Sequence, residues 1–489
     1  MKKFTLLLFI LSHFFHFSLA QNEKSTYDNL FKKSDSLYDV KDYKNSAIIS
    51  SEAIRMAGKK ATFYNYWRVA DSWALAGYAD SAFYWLNISS GLDNLSMYNL
   101  RNTRNNKNFA SLRNDKRWET LLEKLYSQAQ KNTIDIQTGV KIKVRNGVLL
   151  NATLYKPHHQ SKPLPVIFTL TPYISDTYHE RGVYFAQHDY IYANIDVRGR
   201  GSSGGSFDPF FSDAKDGYDI VEWFAKQSYC NGIVTMWGGS YAGQAQWLTA
   251  KEFPPHLRSI VPVASPKLGI DGPMRYNVGD PYIMQWLMHV STHSGNFNLL
   301  TDGKYWDSKF TERYEKDLPF ASMDSIVGNP NKIWKNYIAH QTNDNYYQSA
   351  IPSPAQYARM DLPILTITGC YDANQPGALS FYKDFMKFAS NTAKQKHYLI
   401  IGPWDHAGTR TPTRWPGVGD SALVDMNNLH WQWYNYTLKD SSKPSLLRGK
   451  VMYFVTNKNR WKSADKLEFY FYFKGNRKRK PYSINHFVT

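Results

Sequence analysis

Gly238-Gly239-Ser240-Tyr241-Ala242-Gly243 is the stretch of this chain that says most about its fold. It follows the apolar, β-branched run 232–237, which predicts a buried strand, and it precedes 244–250, which predicts a helix. A serine on a tight strand-to-helix turn with small neighbours is typical of a nucleophile elbow, which exposes the serine Oγ. The pattern here is G-x-S-x-A-G and not the strict G-x-S-x-G. The alternative is a glycine-rich turn that carries a surface serine.

Two further predicted strands supply the other members of a Ser-Asp-His triad. Asp372 lies just past the buried run 362–369, where the acid of a parallel sheet is expected. His406 lies on a loop directly after a second such run, 397–402. The order serine, acid, histidine is that of an α/β-hydrolase. Asp405 is the competing acid, but adjacent loop residues rarely pair in the required geometry, and Asp372 is therefore preferred.

An acyl-transfer site also needs donors for the negative charge that develops on the substrate carbonyl oxygen. The backbone N–H of Tyr241, directly after the serine, is the first expected donor. Tyr173 follows Pro172 at the end of the predicted strand 166–170, and its phenol can supply a second donor. Taken alone, Tyr173 is one of 35 tyrosines, so the residues themselves favour this role only weakly.

Five ordered motifs carry a family resemblance, and they are Thr171-Pro172-Tyr173, Asp196–Gly204, Gly238–Gly243, Gly369–Asp372 and Gly402–His406. Together they resemble the X-Pro dipeptidyl peptidase and cocaine-esterase (CocE/NonD) family of serine hydrolases. That family also includes α-amino-acid ester hydrolases and cephalosporin acylases. The resemblance spans residues 138–465 and implies an α/β-hydrolase fold.

Carried over by position, the resemblance implies Ser240 as nucleophile, Asp372 as acid and His406 as base. It also implies the Tyr173 hydroxyl and the Tyr241 N–H as oxyanion donors. No metal or organic cofactor is implied. The family commonly has an aromatic residue at the position of Cys370, close to Asp372. This difference puts the expected wall of the pocket in question, but not the triad.

The segment Arg198–Gly204 has the glycines and arginines of a phosphate-binding loop. It lacks G-x-x-x-x-G-K-[ST], and its glycines do not form a dinucleotide-binding fingerprint with its acidic partner. We therefore do not expect nucleotide binding. The glycines instead predict a tight loop beside the active site, with Arg198 or Asp196 in a buried ion pair.

Composition and the N-terminus indicate an extracytoplasmic protein. Residues 1–20 combine two lysines, an apolar run and a final Ala20, which predicts a cleaved secretory signal peptide and a secreted or periplasmic enzyme. The apolar run is short for a membrane span, and no stable membrane insertion is expected. The formal charge of +18 is dispersed except in the tail 474–480, so nucleic-acid binding is not expected. Cys230 and Cys370 do not make a disulfide framework.

Residues 21–131 show helical spacing of apolar residues and predict an all-α N-terminal region. Tyr43 and Ala47 recur 35 residues later as Tyr78 and Ala82, close to the period of a tetratricopeptide repeat. A plain helical bundle is the alternative. An amphipathic last helix is predicted from Trp118, Leu121, Leu122 and Leu125. The region is expected to pack and not to bind a partner, and a linker is expected over 132–138.

The α/β-hydrolase domain is expected over 138–440, beginning with a hairpin-like strand pair at 140–144 and 147–155. The insert 271–352, rich in aromatic residues and asparagine, predicts a helical cap over the pocket. Residues 447–489 resemble the start of a C-terminal jelly-roll domain but are too few to complete it. We therefore expect a truncated β-sandwich, with strands at 449–455 and 467–473.

These features predict a secreted serine hydrolase that cleaves ester or amide bonds of a small molecule or short peptide through an acyl-enzyme. The positions after Asp372 are uncharged (Ala373, Asn374 and Gln375), which argues against an amino-acid ester hydrolase. No anchor for a free N-terminus is evident, so an X-Pro dipeptidyl peptidase is the second hypothesis. The third is a catalytically dead fragment that acts as a binding module. The oligomeric state does not follow from the sequence.

Overall fold

The structure, a computed structural model, describes residues 27, 29–57, 61–92, 95, 97–131, 133–158, 160–174, 178–275, 277–413 and 419–467. The predicted signal peptide, the strand expected at 468–473 and the basic tail lie outside the described residues. The chain divides into two compact units, Met1–Ile134 with Pro157–His159, and Asp135–Lys156 with Gln160–Thr489. Within the described residues, no helix is long and apolar enough to cross a membrane.

The first unit is helical, as the apolar spacing predicts. Its helices are α1 (29–39), α2 (Tyr43–Ala57), α3 (Phe63–Leu75), α4 (Ala79–Ser89), α5 (Met97–Asn105) and α6 (Arg117–Lys131). Ala47 on α2 and Ala82 on α4 are fully buried, so the two positions related by 35 residues both face a core. On α6, Trp118, Leu121 and Leu125 are buried, which confirms the predicted amphipathic helix. The tetratricopeptide repeat itself stays a prediction.

The second unit is built on a mostly parallel sheet. Its strands are β1 (Ile134–Lys143), β2 (Leu149–Pro157), β3 (Leu164–Thr171), β4 (Ile191–Asp196), β5 (Cys230–Gly239), β6 (Leu257–Val263), the short pair β7 (Met274–Arg275) and β8 (Val278–Gly279), then β9 (Ile364–Tyr371), β10 (His397–Asp405), β11 (Val451–Val455) and β12 (Arg460–Ala464). Strands β3, β4 and β9 are apolar along most of their length because helices cover both faces of a parallel sheet.

The ten-stranded sheet has the order β1-β2-β4-β3-β5-β6-β9-β10-β11-β12. Within this sheet the strands from β4 to β11, in the order given, pair in parallel, while β2 runs antiparallel to β4 and β12 runs antiparallel to β11. This mixed α/β architecture is consistent with the predicted α/β-hydrolase fold. Because β5, β9 and β10 are parallel, their carboxyl ends, which carry the candidate triad, meet at one edge.

Two expectations from the sequence are wrong. The linker expected over 132–138 is replaced from Ile134 onward by β1, which pairs with β2 at one edge of the sheet. The strand expected at 449–455 to begin a β-sandwich belongs instead to the central sheet as β11, because it pairs with β10 through Leu399 and Val451, and β12 pairs with β11 in turn. The sheet therefore extends past residue 440, the end expected for the α/β domain.

The remaining helices flank the sheet or form an insert. They are α7 (His179–Ala186), α8 (Asp213–Ala225), α9 (Tyr241–Ala250), α10 (Tyr282–Val290), α11 (Phe297–Thr301), α12 (Gly303–Glu315), α13 (Met323–Ile326), α14 (Lys332–Ala339), α15 (Asn345–Ser349), α16 (Pro354–Arg359), α17 (Gln375–Phe388), α18 (Asn391–Lys394) and α19 (Met426–Leu438). Helices α10 to α15 fall within the insert 271–352, which confirms its predicted helical character.

Candidate active site

Ser240 occupies the sharp turn between β5 and α9. Its backbone has φ 61° and ψ −124°, a left-handed conformation that a non-glycine residue adopts only at a cost of about 1–3 kcal/mol. The turn is held because the Ser240 N–H donates to the Val263 carbonyl at 2.9 Å, and the Gly243 N–H donates to the Ser240 carbonyl at 2.8 Å. The backbone therefore has the strained strand–turn–helix geometry that the sequence predicts for an elbow.

The small residues around Ser240 are required by close packing. A Cβ added at Gly238 would lie 2.5 Å from the Ala242 Cβ, and one at Gly243 would lie 2.8 Å from the Val263 carbonyl oxygen. The alanine at position 242 therefore requires a glycine at position 238, and the approach of the Val263 carbonyl requires one at position 243.

Gln246 fastens the elbow to the sheet, a role that the sequence did not reveal. Its fully buried side chain donates to the carbonyls of Gly238, Ala242 and Val261 at 3.0–3.1 Å and accepts the Val261 N–H at 2.8 Å. One amide side chain therefore links the end of β5, the first turn of α9 and β6. A glutamine three residues beyond the elbow glycine is the only signal the sequence offers.

Asp372 and His406 are paired beyond the ends of β9 and β10. The His406 Nδ1–H donates to Asp372 Oδ1 at 2.8 Å, and the carboxylate is fully buried while the imidazole is one-third exposed. Thr368 Oγ1 and the Asn374 N–H each donate to Asp372 at 3.0 Å, which fixes the carboxylate. Asp405 instead accepts the Gly408 N–H at 2.6 Å. The structure thus places Asp372, the preferred acid, against the imidazole.

A cavity of about 560 Å³ brings the predicted residues together, because Ser240, His406, Tyr173 and Tyr241 all line it. Asp372 lies behind His406, outside the lining. One wall is aromatic, formed by Phe210, Tyr241, Trp286 and Tyr337. Several lining residues come from the helical insert, so this segment does cover the pocket.

Tyr173 lines the same cavity as Ser240, and its hydroxyl group contacts the insert. The Trp286 indole N–H donates to the Tyr173 hydroxyl oxygen at 3.2 Å. An indole nitrogen is a donor only, so Tyr173 accepts in this contact and its own hydrogen is directed elsewhere. This arrangement allows the phenol to donate toward the cavity that it lines.

The side chain of Tyr241 is locked in the protein while its backbone begins α9. Its ring stacks on Phe210 at 4.1 Å and its hydroxyl oxygen accepts the Phe210 N–H at 3.0 Å, while the Asp213 carboxyl interacts electrostatically with the hydroxyl. Burial raises the pKa of Asp213 to about 8, so this carboxyl is largely protonated at neutral pH. Because the Tyr241 ring is held in place, the peptide unit of Tyr241 is held as well. Its N–H belongs to the first residue of α9 and is directed out of the N-terminus of that helix.

The loop after β4 is tightly packed and contacts the segment that carries Tyr173. Arg198 pairs with Asp216 at 2.5 Å, with both side chains largely buried, which is the ion pair expected for Arg198 or Asp196. Gly199 has φ +68°, and a Cβ there would lie 2.4 Å from the Phe207 nitrogen, so the tight loop requires glycine. Buried Arg200 donates to the Pro172 carbonyl at 2.8 Å, next to Tyr173.

A charged wall of the cavity was missed by the sequence analysis. Asp271, Arg275 and Asp280, all from the start of the insert, line the pocket together with Asn374. Arg275 pairs with Asp280 at 3.2 Å. Burial raises the pKa of Asp271 to about 7, while its oxygens accept the backbone N–H groups of Lys267 and Gly377 at 2.8 Å. Only the folded insert brings these side chains to the serine.

Among the residues that the structure describes, no group of three or more histidine, cysteine or acidic side chains is arranged to hold a metal ion. Cys230 and Cys370 are both free thiols; Cys230 is buried and Cys370 is exposed.

Comparisons with known proteins agree with this geometry. The family model described as X-Pro dipeptidyl-peptidase (S15 family) matches residues 146–408. Cocaine esterase of Rhodococcus sp. (strain MB1 Bresler) is 24% identical over 355 residues, which are 67% of this chain and 59% of that protein. A predicted serine esterase of Mycobacterium bovis is 36% identical over 327 residues, 58% of this chain and 49% of that protein.

Solved structures share the fold. An aminopeptidase from the marine sediment archaeon Thaumarchaeota archaeon matches with a TM-score of 0.55 and 20% identity, over 68% of this chain and 59% of its own. The chain spans less than two thirds of the length of the curated relatives it matches. Because the family model covers more than half of the residues and includes Ser240, Asp372 and His406, the chain belongs to the X-Pro dipeptidyl-peptidase (S15) family, the family of the cocaine-esterase-like CocE/NonD hydrolases.

Proposed function

We propose that this chain is a serine hydrolase that cleaves ester or amide bonds of small acyl compounds through an acyl-enzyme intermediate. The observation that carries the proposal is the Asp372–His406 hydrogen bond of 2.8 Å beside the strained Ser240 turn, with Ser240 and His406 lining one cavity. Family membership supports it, because the matched region contains all three residues.

The proposed mechanism assigns one task to each group. His406 removes the proton from Ser240 Oγ as the oxygen attacks the substrate carbonyl carbon, because a serine hydroxyl is otherwise a weak nucleophile. Asp372 holds His406 through Nδ1, so that Nε2 is the basic atom, and it stabilises the imidazolium that forms. His406 then donates its proton to the leaving group. Water, activated by the same imidazole, attacks the acyl-enzyme and releases the acid.

The Tyr241 N–H and the Tyr173 hydroxyl are the proposed oxyanion donors. Both residues line the cavity, and Tyr241 is held by its ring stacking on Phe210. Donors fixed before the substrate arrives stabilise developing charge without reorganisation, which is why each is worth about 2.7–4 kcal/mol in related sites. No metal or organic cofactor takes part in the proposed steps.

The cavity favours an apolar or aromatic acyl group. Its aromatic wall, with Phe210 and Trp286, offers surface for such a group next to Ser240. A volume of about 560 Å³ suits a small molecule or a short peptide end. We also propose that the enzyme is secreted or periplasmic, supported by the signal-peptide pattern of residues 1–20.

The experiment is hydrolysis of a panel of p-nitrophenyl esters with acetyl, butanoyl and 3-phenylpropanoyl groups, with anilide counterparts. We expect wild-type turnover to be abolished by Ser240→Ala, with preference for the 3-phenylpropanoyl ester. Ser308→Ala, which replaces an exposed serine outside the cavity lining, is the matched control and should keep turnover. Equal turnover by the wild type and Ser240→Ala would refute the proposal.

X-Pro dipeptidyl peptidase activity is the second candidate. The match to the X-Pro dipeptidyl-peptidase family model favours it, although the cavity-wall carboxylates of Asp271 and Asp280 already accept hydrogen bonds from the protein. Release of p-nitroaniline from Gly-Pro and Ala-Pro p-nitroanilides, faster than from N-acetylated forms, would identify this activity. A chain that is only a binding module would hydrolyse neither panel.

A further inference from the structure

The ion pair between Arg275 and Asp280 lies in the cavity wall itself and not on the outer surface. Arg275 Nη2 is 3.2 Å from Asp280 Oδ2, and Nη1 donates to the Ala373 carbonyl oxygen at 3.0 Å, one residue from Asp372. The Asp280 side chain is 16% exposed and that of Arg275 is 34% exposed. The two terminal nitrogens of the guanidinium are thus held separately, one by Asp280 in the insert and the other by Ala373, the residue after Asp372.

Asp280 pairs with a cation through its oxygen Oδ2, and that cation is the Arg275 guanidinium. The other oxygen, Oδ1, accepts the Tyr282 N–H at 3.0 Å and fixes the carboxylate at the start of α10. A mostly buried carboxylate that loses its cation is strongly destabilised, so some positive group must stay beside it. A substrate ammonium group and the Arg275 guanidinium would therefore compete for the same oxygen, and the guanidinium is attached to the protein.

Asp271, the other acid of the cavity wall, does not offer a second place for a cation. Its Oδ1 accepts the Lys267 N–H at 2.8 Å, and its Oδ2 accepts the Gly377 N–H at 2.8 Å and the Asn374 amide at 3.4 Å. The residue is 2% exposed. Its hydrogen bonds join the insert to the first turn of α17, which is a structural task.

We propose that Arg275 is a specificity-determining residue that occupies the cation site of the pocket and restricts the enzyme to acyl groups without a positive charge. The inference rests on the proposed function, because it assigns the acyl group to this cavity. An α-ammonium on the acyl group meets a guanidinium of like charge and finds no unpaired carboxylate. An uncharged acyl group is not repelled by the guanidinium and needs no carboxylate partner. It contacts the aromatic wall alone.

The test uses two p-nitrophenyl esters that differ only in an α-ammonium group, the 3-phenylpropanoyl and the phenylalanyl ester. They are compared at about pH 6, where the amino group is protonated. The measured quantity is the kcat/KM of the phenylalanyl ester divided by that of the 3-phenylpropanoyl ester. We expect Arg275→Met to raise this ratio at least about tenfold, because Asp280 becomes available to the ammonium.

Three further variants make the test specific. Arg275→Lys retains a cation, and we expect it to keep the low ratio of the wild type. Arg275→Met combined with Asp280→Asn removes both charges and should return the ratio to the wild-type value. Arg313→Met removes an arginine whose side chain donates to the Leu318 carbonyl in the insert and does not line the cavity, and the ratio should not change. An unchanged ratio in Arg275→Met overturns the inference, as does a rise that survives Asp280→Asn.

A binding measurement separates this inference from the proposed function. In the Ser240→Ala background, calorimetry gives the Kd of phenylalaninamide and of 3-phenylpropanamide with and without Arg275→Met. If no ester is hydrolysed but Arg275→Met selectively tightens phenylalaninamide binding, the proposed function is wrong and the inference stands. Suppose instead that the esters are hydrolysed, but Arg275→Met changes neither the kcat/KM ratio of the two esters nor the ratio of the Kd values of the two amides. The proposed function then stands and the inference is wrong.

Discussion

His406 Nδ1 lies 2.8 Å from Asp372 Oδ1, and these residues come from loops after neighbouring parallel strands, β10 and β9. The register pairs Gly402 with Gly369 and then shifts before Asp405 pairs with Tyr371. Because β9 and β10 run in parallel, the two loops leave the sheet at the same edge. The pair therefore depends on the sheet, because its two members are separated by 34 positions in the sequence.

Asp372→Asn tests the role of this hydrogen bond. The asparagine keeps the shape of the side chain but lets its amide face the imidazole, which favours the wrong tautomer of His406. We expect kcat for the 3-phenylpropanoyl ester to fall by about 10⁴. The midpoint of thermal unfolding, measured in parallel, serves to show that the protein remains folded. Asp405→Asn should reduce kcat far less, and the reverse order of the two effects would assign the acid to Asp405.

Tyr173→Phe tests the second oxyanion donor. The substitution removes the hydroxyl and leaves the Trp286 indole N–H, 3.2 Å away, without this acceptor. We expect kcat to fall by about 10²–10³ with a smaller change in KM, because the lost bond is made mainly in the transition state. Trp286→Phe removes the indole donor but keeps the phenol. If both variants lose the same activity, Tyr173 acts through packing and not as a donor.

Gln246→Leu tests how the elbow is held. The leucine leaves the Val261 N–H and the Gly238 carbonyl without the hydrogen bonds of 2.8 Å and 3.1 Å that the amide provides. We expect the free energy of unfolding to drop by at least about 2 kcal/mol, since each buried unpaired group costs about 1–3 kcal/mol. Urea titration measures this loss. Gln348→Leu, at an exposed glutamine, should change the stability by less than about 0.5 kcal/mol.

The buried carboxyl of Asp213 predicts a pH dependence of stability. Burial raises its pKa to about 8 in the folded protein, whereas an unfolded aspartate titrates near about 4. Between these values the folded state holds the extra proton, so the contribution of Asp213 to stability falls as pH rises and levels off above about pH 8.

Asp213→Asn removes the titrating carboxyl. The difference in unfolding free energy between the wild type and this variant therefore isolates the contribution of Asp213. We expect the unfolding free energy of the wild type minus that of the variant to decrease by at least about 1.4 kcal/mol between about pH 5 and about pH 7.5, since one pKa unit corresponds to about 1.4 kcal/mol. Denaturant titrations at several pH values give this difference. A difference that is constant with pH would show that Asp213 is ionised throughout.

The sequence identified the parts of the site that rest on local chemistry. The turn at Ser240 requires small residues on either side, and Asp372 and His406 follow apolar runs that form β9 and β10. Local pattern and structure agree here because strand ends and tight turns impose requirements on adjacent residues. The helical character of the insert 271–352 followed from the same kind of evidence.

The parts that the sequence did not reveal depend on tertiary contacts. Arg275 meets the Ala373 carbonyl, 98 residues away in the sequence, only because the insert folds back beside the end of β9, whereas its partner Asp280 is close to it in the sequence. Strands β11 and β12 carry strand-forming residues, but nothing local says that β11 joins β10 and not a separate sandwich. Likewise, β1 replaces the expected linker because pairing with β2 outweighs its polar, exposed composition.

The most direct measurement is intact-mass analysis after treatment with a fluorophosphonate, which labels an activated serine covalently. We predict one label per chain on the wild-type protein, none on Ser240→Ala, and greatly slowed labelling of His406→Ala. This result would show that Ser240 is activated by the assembled triad. A folded wild-type protein that takes no label, or that is labelled equally after Ser240→Ala, would contradict the proposed function and favour a binding role for the chain.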